Sequence, residues 1–356
     1  MYSFSMFKPF YLIAVGFLVV FSLDLKMDQT EVEKVRVVAR IRPLKQAEQG
    51  LPLCIKADTA NEIRLLNTDT TTKSTYSFSA VFNESTTDLD VFSATAKPLV
   101  PSLFQGYNVT MIAYGQTGSG KSHTLGTSSG TEEPNPHGII PLCLAKIFSI
   151  VEAEKAVAQF AISMSLLEIY MNNVRDLMVP KESAKDLVVK ERGELFIAEG
   201  LTTKAGLANR TTASTSMNKH SSRSHCLFNL KIERMPVDGS KATVGTFCVM
   251  DLAGSENVCN NEGPRRKEGI NINQGLFYLG TIIKNLVKKT HSYVNYRQSN
   301  LTRLMKASLG GNSKTIFFAC INALRSCEVS TRTTLDYADS ASKIRNKPIQ
   351  NSASAI

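Results

Sequence analysis

From residue 35 the chain alternates apolar and polar positions. Val35, Val37, Ala39 and Ile41 interleave with Arg36, Val38, Arg40 and Arg42, and Pro43 stops the run. A period of two predicts a strand. Three short, largely apolar runs, 109–114, 247–250 and 315–321, suit central strands buried on both faces. Elsewhere the period changes. Ile272, Leu276, Leu279, Ile283 and Leu286 step by four, three, four and three, which is one stripe of a long helix. Leu301, Leu304, Met305 and Leu309 mark another helix, stopped by Gly310 and Gly311. This alternation predicts an α/β fold with a central, mostly parallel β-sheet and helices on both faces. No internal repeat or low-complexity linker appears, so the body reads as one domain.

Residues 10–23, FYLIAVGFLVVFSL, break the pattern with fourteen uncharged residues between Lys8 and Asp24. A membrane span needs about 20 apolar residues, so the run is closer to a signal-peptide core, yet no small-x-small cleavage site follows. Met27 opens a polar stretch leading into the first strand. On the residues alone, a start at Met27 and a real anchor or signal both stay open.

Composition narrows the classes. With 43% hydrophobic and 20% charged residues, the 356-residue chain lacks the signature of disorder. Forty-one Lys and Arg against 31 Asp and Glu leave a net charge of +10, which invites nucleic acid, an anionic membrane or an acidic protein surface. Seven cysteines without a Cys-x-x-Cys pair argue against a disulfide scaffold or structural zinc and for a reducing compartment.

The sharpest local signal is Gly115-Gln116-Thr117-Gly118-Ser119-Gly120-Lys121-Ser122, which satisfies G-x-x-x-x-G-K-[ST]. Such glycines let backbone N–H groups turn inward around phosphate oxygens, the lysine reaches the terminal phosphates, and the serine hydroxyl can ligate magnesium. An apolar strand enters this loop and a helix can leave it, its dipole favouring anions. The reading is a nucleotide triphosphate site. Two further segments bear on it. Asp251-Leu252-Ala253-Gly254 follows an apolar run and can supply a magnesium-shell carboxylate and a γ-phosphate N–H. Residues 218–225, NKHSSRSH, are dense in hydroxyls around one arginine; alone they read as a solvated polar loop.

Together and in this order, AYGQTGSGKSHTLG, NKHSSRSH and DLAGSE resemble the kinesin motor domain. VRVVARIRP at 35–43, SLLEIYMNNVRDL at 165–177, LTRLMKASLGGNSKT at 301–315 and KIRNKPIQN at 343–351 extend the resemblance over roughly residues 35–351. The closing NKPIQN looks most like the chromokinesin group. The resemblance implies a P-loop NTPase-type motor domain over 27–345, an apolar extension over 1–26, and the start of a neck linker over 346–356. ATP and Mg2+ are the cofactors it implies. Arg40 and Pro43 would flank the adenine, with His123 stacking on it. Gly115, Gln116, Thr117, Gly118, Ser119, Gly120, Lys121 and Ser122 would hold the phosphates. Asn218 and Ser221 belong to the first switch, Ser122, Ser222 and Asp251 would serve the metal, and Gly254 would sense the γ-phosphate. An ion pair between Arg223 and Glu256 would order the attacking water. Phosphoryl transfer needs positioning and charge stabilisation more than a strong base, so the lack of a catalytic dyad is no objection.

The charge has a place. Residues 263–306 hold nine basic residues against the single acid Glu268, a net of +8, leaving the rest near +2. Lys284 and Lys288 lie together off the apolar stripe of their helix, and Arg303 and Lys306 do so on the next. Such a run is ordinarily a solvated face. The resemblance implies that Lys284, Lys288, Lys289, Arg297, Arg303 and Lys306 meet the acidic surface of tubulin, placing the chain on microtubules in the cytoplasm. No interleaved aromatics suit nucleic acid. A motor needs cytosolic ATP and tubulin, which favours Met27 as the start over a secretory signal and leaves a membrane role only to a genuine apolar segment.

Departures from the family pattern accompany this. Gln298 and Asn300 stand where an acid and a lysine are usual, Asn257 replaces an arginine, and the stretch from Gly200 to Asn218 is about a dozen residues short. The alternative is therefore a non-motile microtubule-binding module with nucleotide as a switch or with impaired ATP turnover. Nothing after Ile344 shows a heptad run, so a monomer is expected.

Overall fold

The computed structural model describes residues 32–66, 74–127, 135–180, 185–193, 195–205, 223–256, 264–288 and 293–352, with backbone alone at 205 and 264–272. The apolar extension 1–26, the first-switch residues Asn218, Ser221 and Ser222, Asn257 and Lys289 lie outside the described residues.

The main sheet comprises β1 (Arg36–Ile41), β2 (Ala80–Phe82), β3 (Val109–Tyr114), β4 (Ala158–Tyr170), β5 (Asn173–Asp176), β6 (Asp186–Arg192), β7 (Leu195–Glu199), β8 (His225–Pro236), β9 (Thr243–Asp251) and β10 (Lys314–Ile321). Their spatial order is β7-β6-β5-β4-β8-β9-β3-β10-β1-β2. From β9 to β2 every pairing is parallel. From β7 to β9 every pairing is antiparallel. The α/β class is as expected, and the sheet is mixed. Short connections join β4 to β5, β6 to β7 and β8 to β9 and can link only antiparallel neighbours, whereas β4 and β8 pair antiparallel although β5, β6 and β7 lie between them in the chain. Met171 and Asn172, at φ 49° and 67°, form the two-residue turn between β4 and β5.

Helices α1 (Asp88–Ala94), α2 (Val100–Phe104), α3 (Lys121–Leu125) and α4 (Ile139–Glu154) cover one face. Helices α5 (Pro264–Val287), α6 (Asn300–Leu304) and α7 (Glu328–Ala341) cover the other. The pleat sorts each strand between them. Met111 and Ala113 of β3 and Phe318 of β10 join the cluster around Leu103, Ile139 and Ile147. Ile112, Phe317 and Ala319 join the one around Leu279, Ile283 and Leu335. Burial on both faces is why these strands read as continuous apolar runs. Tyr114, the last residue of β3, stacks on Tyr337 of α7 with centroids 4.2 Å apart. The predicted 301–309 helix is regular only to Leu304; Met305 to Leu309 continue as tight turns before Gly310 at φ 80°.

The segment beyond α7 is fastened across the core. The Asn346 side chain is buried and donates from Nδ2 to the carbonyls of Ser308 (2.9 Å) and Ser313 (2.7 Å), while its Oδ1 accepts from the Gly310 N–H at 2.7 Å. Further along, the Lys347 N–H donates to the Gly311 carbonyl and the Asn351 N–H to that of Gly106. Removing this amide leaves the Gly310 N–H and the Ser313 carbonyl without these partners, at about 1–3 kcal/mol per group, while the Ser308 carbonyl keeps the Thr315 hydroxyl. Asn346→Ala should therefore lower the urea-unfolding midpoint by an amount equivalent to at least about 1 kcal/mol. An unchanged midpoint would show that these bonds are replaced by water without loss.

Candidate functional site

The parallel register of β3 and β9 sets Asp251 opposite Ala113, so the ends of two neighbouring strands deliver both halves of the site to one edge. After Tyr114 the chain turns at Gly115, where a Cβ would lie 2.2 Å from the Cys320 carbonyl oxygen and 2.7 Å from Ser119 Oγ. Gly120, at φ 93°, caps the start of α3 in the left-handed region. Within the loop the Ser119 N–H donates back to the Gln116 carbonyl at 3.2 Å, which closes a turn. Lys121 is buried, and its ammonium donates to the carbonyls of Gly115 (2.9 Å) and Gln116 (3.0 Å).

One carboxylate gathers the centre. Asp251 Oδ2 accepts from the Ser122 hydroxyl at 2.7 Å and from the Thr127 hydroxyl at 2.6 Å. Its other oxygen, Oδ1, is buried without a partner, as are Ser119 Oγ, Gln116 Oε1 and Ser255 Oγ nearby. Burial pulls the Lys121 ammonium below its ordinary value and pushes the Asp251 carboxyl above its own, each charge opposing the other's shift. Four unsatisfied polar atoms around a buried cation and carboxylate fit a charged, oxygen-rich ligand. The hydroxyl and carboxylate donors are the hard oxygens that magnesium takes.

The segment after β9, residues 252–256 and the expected second switch, leans on the same loop. Glu256 Oε2 accepts from the Thr117 N–H at 2.7 Å, and the Ser255 N–H donates to the Gly115 carbonyl at 3.2 Å. A Cβ at Gly254 would lie 2.3 Å from Thr117 Oγ1 and 2.4 Å from Glu256 Oε2, so a larger residue there would have to displace both side-chain ends. Asn273 of α5 donates to the Glu256 carbonyl at 3.0 Å, joining the switch to the long helix. Arg223 is exposed at the turn entering β8, three residues after which lies Cys226 opposite Asp251.

Arg40 is buried and bound by two helices: Nη1 donates to Thr124 Oγ1 of α3 at 3.0 Å and Nη2 to Asp88 Oδ1 of α1. Asp88 also lies 3.7 Å from His123 Nδ1 and accepts from Asn135 Nδ2 at 3.0 Å. His123 and Pro43 are exposed at this rim, and Gly118 and Thr117 at the tip of the loop. Sequence reasoning missed Asp88, Thr124, Thr127 and Asn135. Only Thr127, five residues past Ser122, had a usable signal, as a second hydroxyl one turn on from the metal serine.

On the basic strip, Lys284 is exposed on α5 and Lys288 is exposed just past its end. Arg297 and Lys306, by contrast, converge on Glu191 of β6: Arg297 Nε donates to Oε2 at 3.1 Å, and Lys306 Nζ lies 3.9 Å from Oε1. Arg303 Nη1 donates to Asn300 Oδ1 at 3.3 Å. Asn300, where the family pattern has lysine, holds the 171–172 turn: its N–H donates to Asn172 Oδ1 (2.8 Å) and its Nδ2 to the Asn172 carbonyl (2.7 Å). Gln298 lines a cleft with Asn172, Gln274 and Tyr278. Among the described residues no helix is long and apolar enough to cross a membrane.

A family model described as the kinesin motor domain matches residues 40–344. The chain is 38% identical over 339 residues to chromosome-associated kinesin KIF4A of Homo sapiens, covering 89% of this chain and 27% of that protein. It is 37% identical over 335 residues to kinesin-like protein klp-19 of Caenorhabditis elegans, covering 89% and 30%. The chain thus spans less than a third of the length of these relatives. A solved structure of a fast kinesin superposes with a TM-score of 0.79 at 32% identity, covering 90% of this chain and 94% of that one.

His225 ties the start of β8 to the second switch, its Nδ1 accepting from the Ala253 N–H at 3.0 Å, so the ring proton sits on Nε2. Burial, with the Lys121 charge second, pushes it down to about 3 from 6.5. The unfolded chain therefore binds the proton first. Its contribution to stability is complete above about pH 6.5 and falls as pH drops toward 3, with a slope approaching ~1.4 kcal/mol per pH unit. Urea midpoints measured from pH 7.5 to 5 should show this loss in the wild type and a flatter profile in His225→Gln. Parallel profiles would assign the acid sensitivity elsewhere.

Proposed function

The chain belongs to the kinesin family, and from that premise we propose that it is a microtubule-stimulated ATPase motor. The observation that carries this reading is the convergence of Ser122 and Thr127 on Asp251, beside a buried Lys121 and a second switch held to the loop through Glu256. Turned-in N–H groups over 115–122 would hold the nucleotide phosphates, and Lys121 would exchange its two carbonyl contacts for phosphate oxygens. Ser122, Asp251 and Ser222 would hold magnesium, which supplies charge neutralisation on the phosphate oxygens. The fit lies in the unpartnered Asp251 Oδ1 and in the two hydroxyls already aimed at this carboxylate. Arg40, Pro43 and His123 form the adenine side, with Asp88 fixing the arginine.

The Gly254 N–H would report the γ-phosphate of a nucleotide lodged in the loop. Glu256 would leave Thr117 to pair with Arg223 and order the attacking water, with Asn218 and Ser221 completing the first switch. Residues 27–345 then form the motor domain, and 346–356 begin the neck linker. The basic strip, with Lys284, Lys288, Lys289, Arg297, Arg303 and Lys306, would face tubulin, placing the protein on the microtubule cytoskeleton. The likeness to chromosome-associated kinesins is consistent with a spindle setting.

Steady-state ATP hydrolysis with and without polymerised microtubules tests the reading: stimulation is expected, whereas co-sedimentation without stimulation would reduce the chain to a binding module. Lys121→Ala should abolish nucleotide binding, read by fluorescent-nucleotide titration. Glu256→Ala should still bind nucleotide but turn it over about 100-fold or more slowly, the scale seen when a positioned transition-state group is removed. Turnover at the wild-type rate would remove Glu256 from the mechanism.

A further inference from the structure

The basic strip is not uniformly open to a partner. β6 and β7 form a hairpin beside α6. Val189 and Glu191 alternate on the same face of β6, and Val189 is buried against the core. That places the Glu191 carboxylate toward α6 and the turn before it. Arg297 reaches it through Nε and Nη2, and Lys306 approaches its other oxygen while its ammonium lies 5.5 Å from the centroid of Phe196 on β7. The three side chains are about one-third to three-fifths exposed: Glu191 33%, Lys306 30% and Arg297 59%. Two further carboxylates of this hairpin are engaged elsewhere, Glu199 with Lys190 and Arg192 and Asp186 with Arg175.

We propose that Glu191 is a built-in competitor for the acidic track: it occupies Arg297 and Lys306 in the free protein and sets the affinity of this face below what its cations alone would give. The inference rests on the reading that this face meets tubulin. On docking, the two cations must divide between Glu191 and the incoming carboxylates, and Glu191 itself becomes a like charge facing an acidic surface. Both effects oppose binding, and both are screened by salt. Because the pairs are exposed, each is weak. The effect is therefore one of tuning. Fixing the two cations in advance would act in the opposite sense by lowering the ordering cost on binding, so the sign of the substitution decides between them.

The test is co-sedimentation of the full chain with polymerised microtubules over a range of salt. Glu191→Gln, which keeps the side-chain shape and removes the charge, should tighten binding about two- to fivefold at low salt, the scale of exposed ion pairs, with the gain shrinking as salt rises. The gain should vanish in the Arg297→Ala, Lys306→Ala background, and Glu199→Gln should change affinity less than Glu191→Gln does. Affinity unchanged or weakened in Glu191→Gln overturns the proposal, as does an equal gain in Glu199→Gln or persistence of the gain without the two cations. Failure of the wild type to co-sediment defeats the underlying docking reading and the proposal with it. Wild-type binding combined with no gain in Glu191→Gln defeats the proposal alone.

Discussion

The carboxylate of Asp251 is the point through which the two halves of the site reach each other. It is buried at the end of β9, takes hydroxyl hydrogen bonds from Ser122 and Thr127 on one oxygen, and leaves the other unpaired. A buried carboxylate is costly unless its charge and lone pairs are answered. Lys121 supplies the charge and the loop hydroxyls supply part of the hydrogen bonding, which pins the phosphate loop to the strand that launches the second switch. The parallel pairing of β3 and β9 makes this possible, because it ends both strands at the same edge. An antiparallel neighbour would have carried Asp251 to the opposite end of the sheet.

Much of this was legible in the residues because the chemistry is local. The strand into the loop, the loop glycines and the lysine–serine pair all lie within fourteen consecutive positions, and 109–114 was bounded as a strand to the residue. The long helix stripe was equally plain, with Leu276, Leu279 and Ile283 buried as a 3.6 period requires. What escaped was contact between distant segments. Asp88 is an ordinary acid near a helix start until the fold brings it to Arg40, 48 residues away. The antiparallel half was hidden for another reason. Its strands run through mixed faces, and the 171–172 turn that forces antiparallel pairing contains no glycine.

Asn300 shows how a departure from a family pattern can be absorbed by packing. Asparagine in place of lysine removes a charge from the strip, yet its side-chain amide donates to the Asn172 carbonyl and accepts from Arg303, beside a backbone N–H bond to Asn172 that any residue could make. Those bonds tie the first turn of α6 to a tight turn whose two residues sit in the left-handed region. The position has exchanged a role at the surface for one in holding α6 against the sheet. The same part of the strip then owes more of its potential to Arg297 and Lys306, both of which Glu191 already engages.

The nucleotide edge and the basic strip are joined by a rigid element rather than by proximity. Glu256 grips the Thr117 N–H with its side chain while its carbonyl accepts from Asn273 in α5. From Asn273 that helix runs to Val287, presenting Leu276, Leu279 and Ile283 to the core and Lys284 outward. A helix moves as a body over such a length, with a rise of about 1.5 Å per residue, so a displacement of Glu256 is felt at Lys284 only if the apolar stripe can slide or tilt on the sheet. Gly275 and Gly280 face Leu301 and Tyr337 respectively, and a Cβ at Gly280 would lie 3.2 Å from the Tyr337 ring. Tyr337 in turn stacks on Tyr114, the residue that begins the phosphate loop. The helix is therefore referenced to the nucleotide loop at two places, by the hydrogen bond from Asn273 to the Glu256 carbonyl and by the close approach of Gly280 to Tyr337.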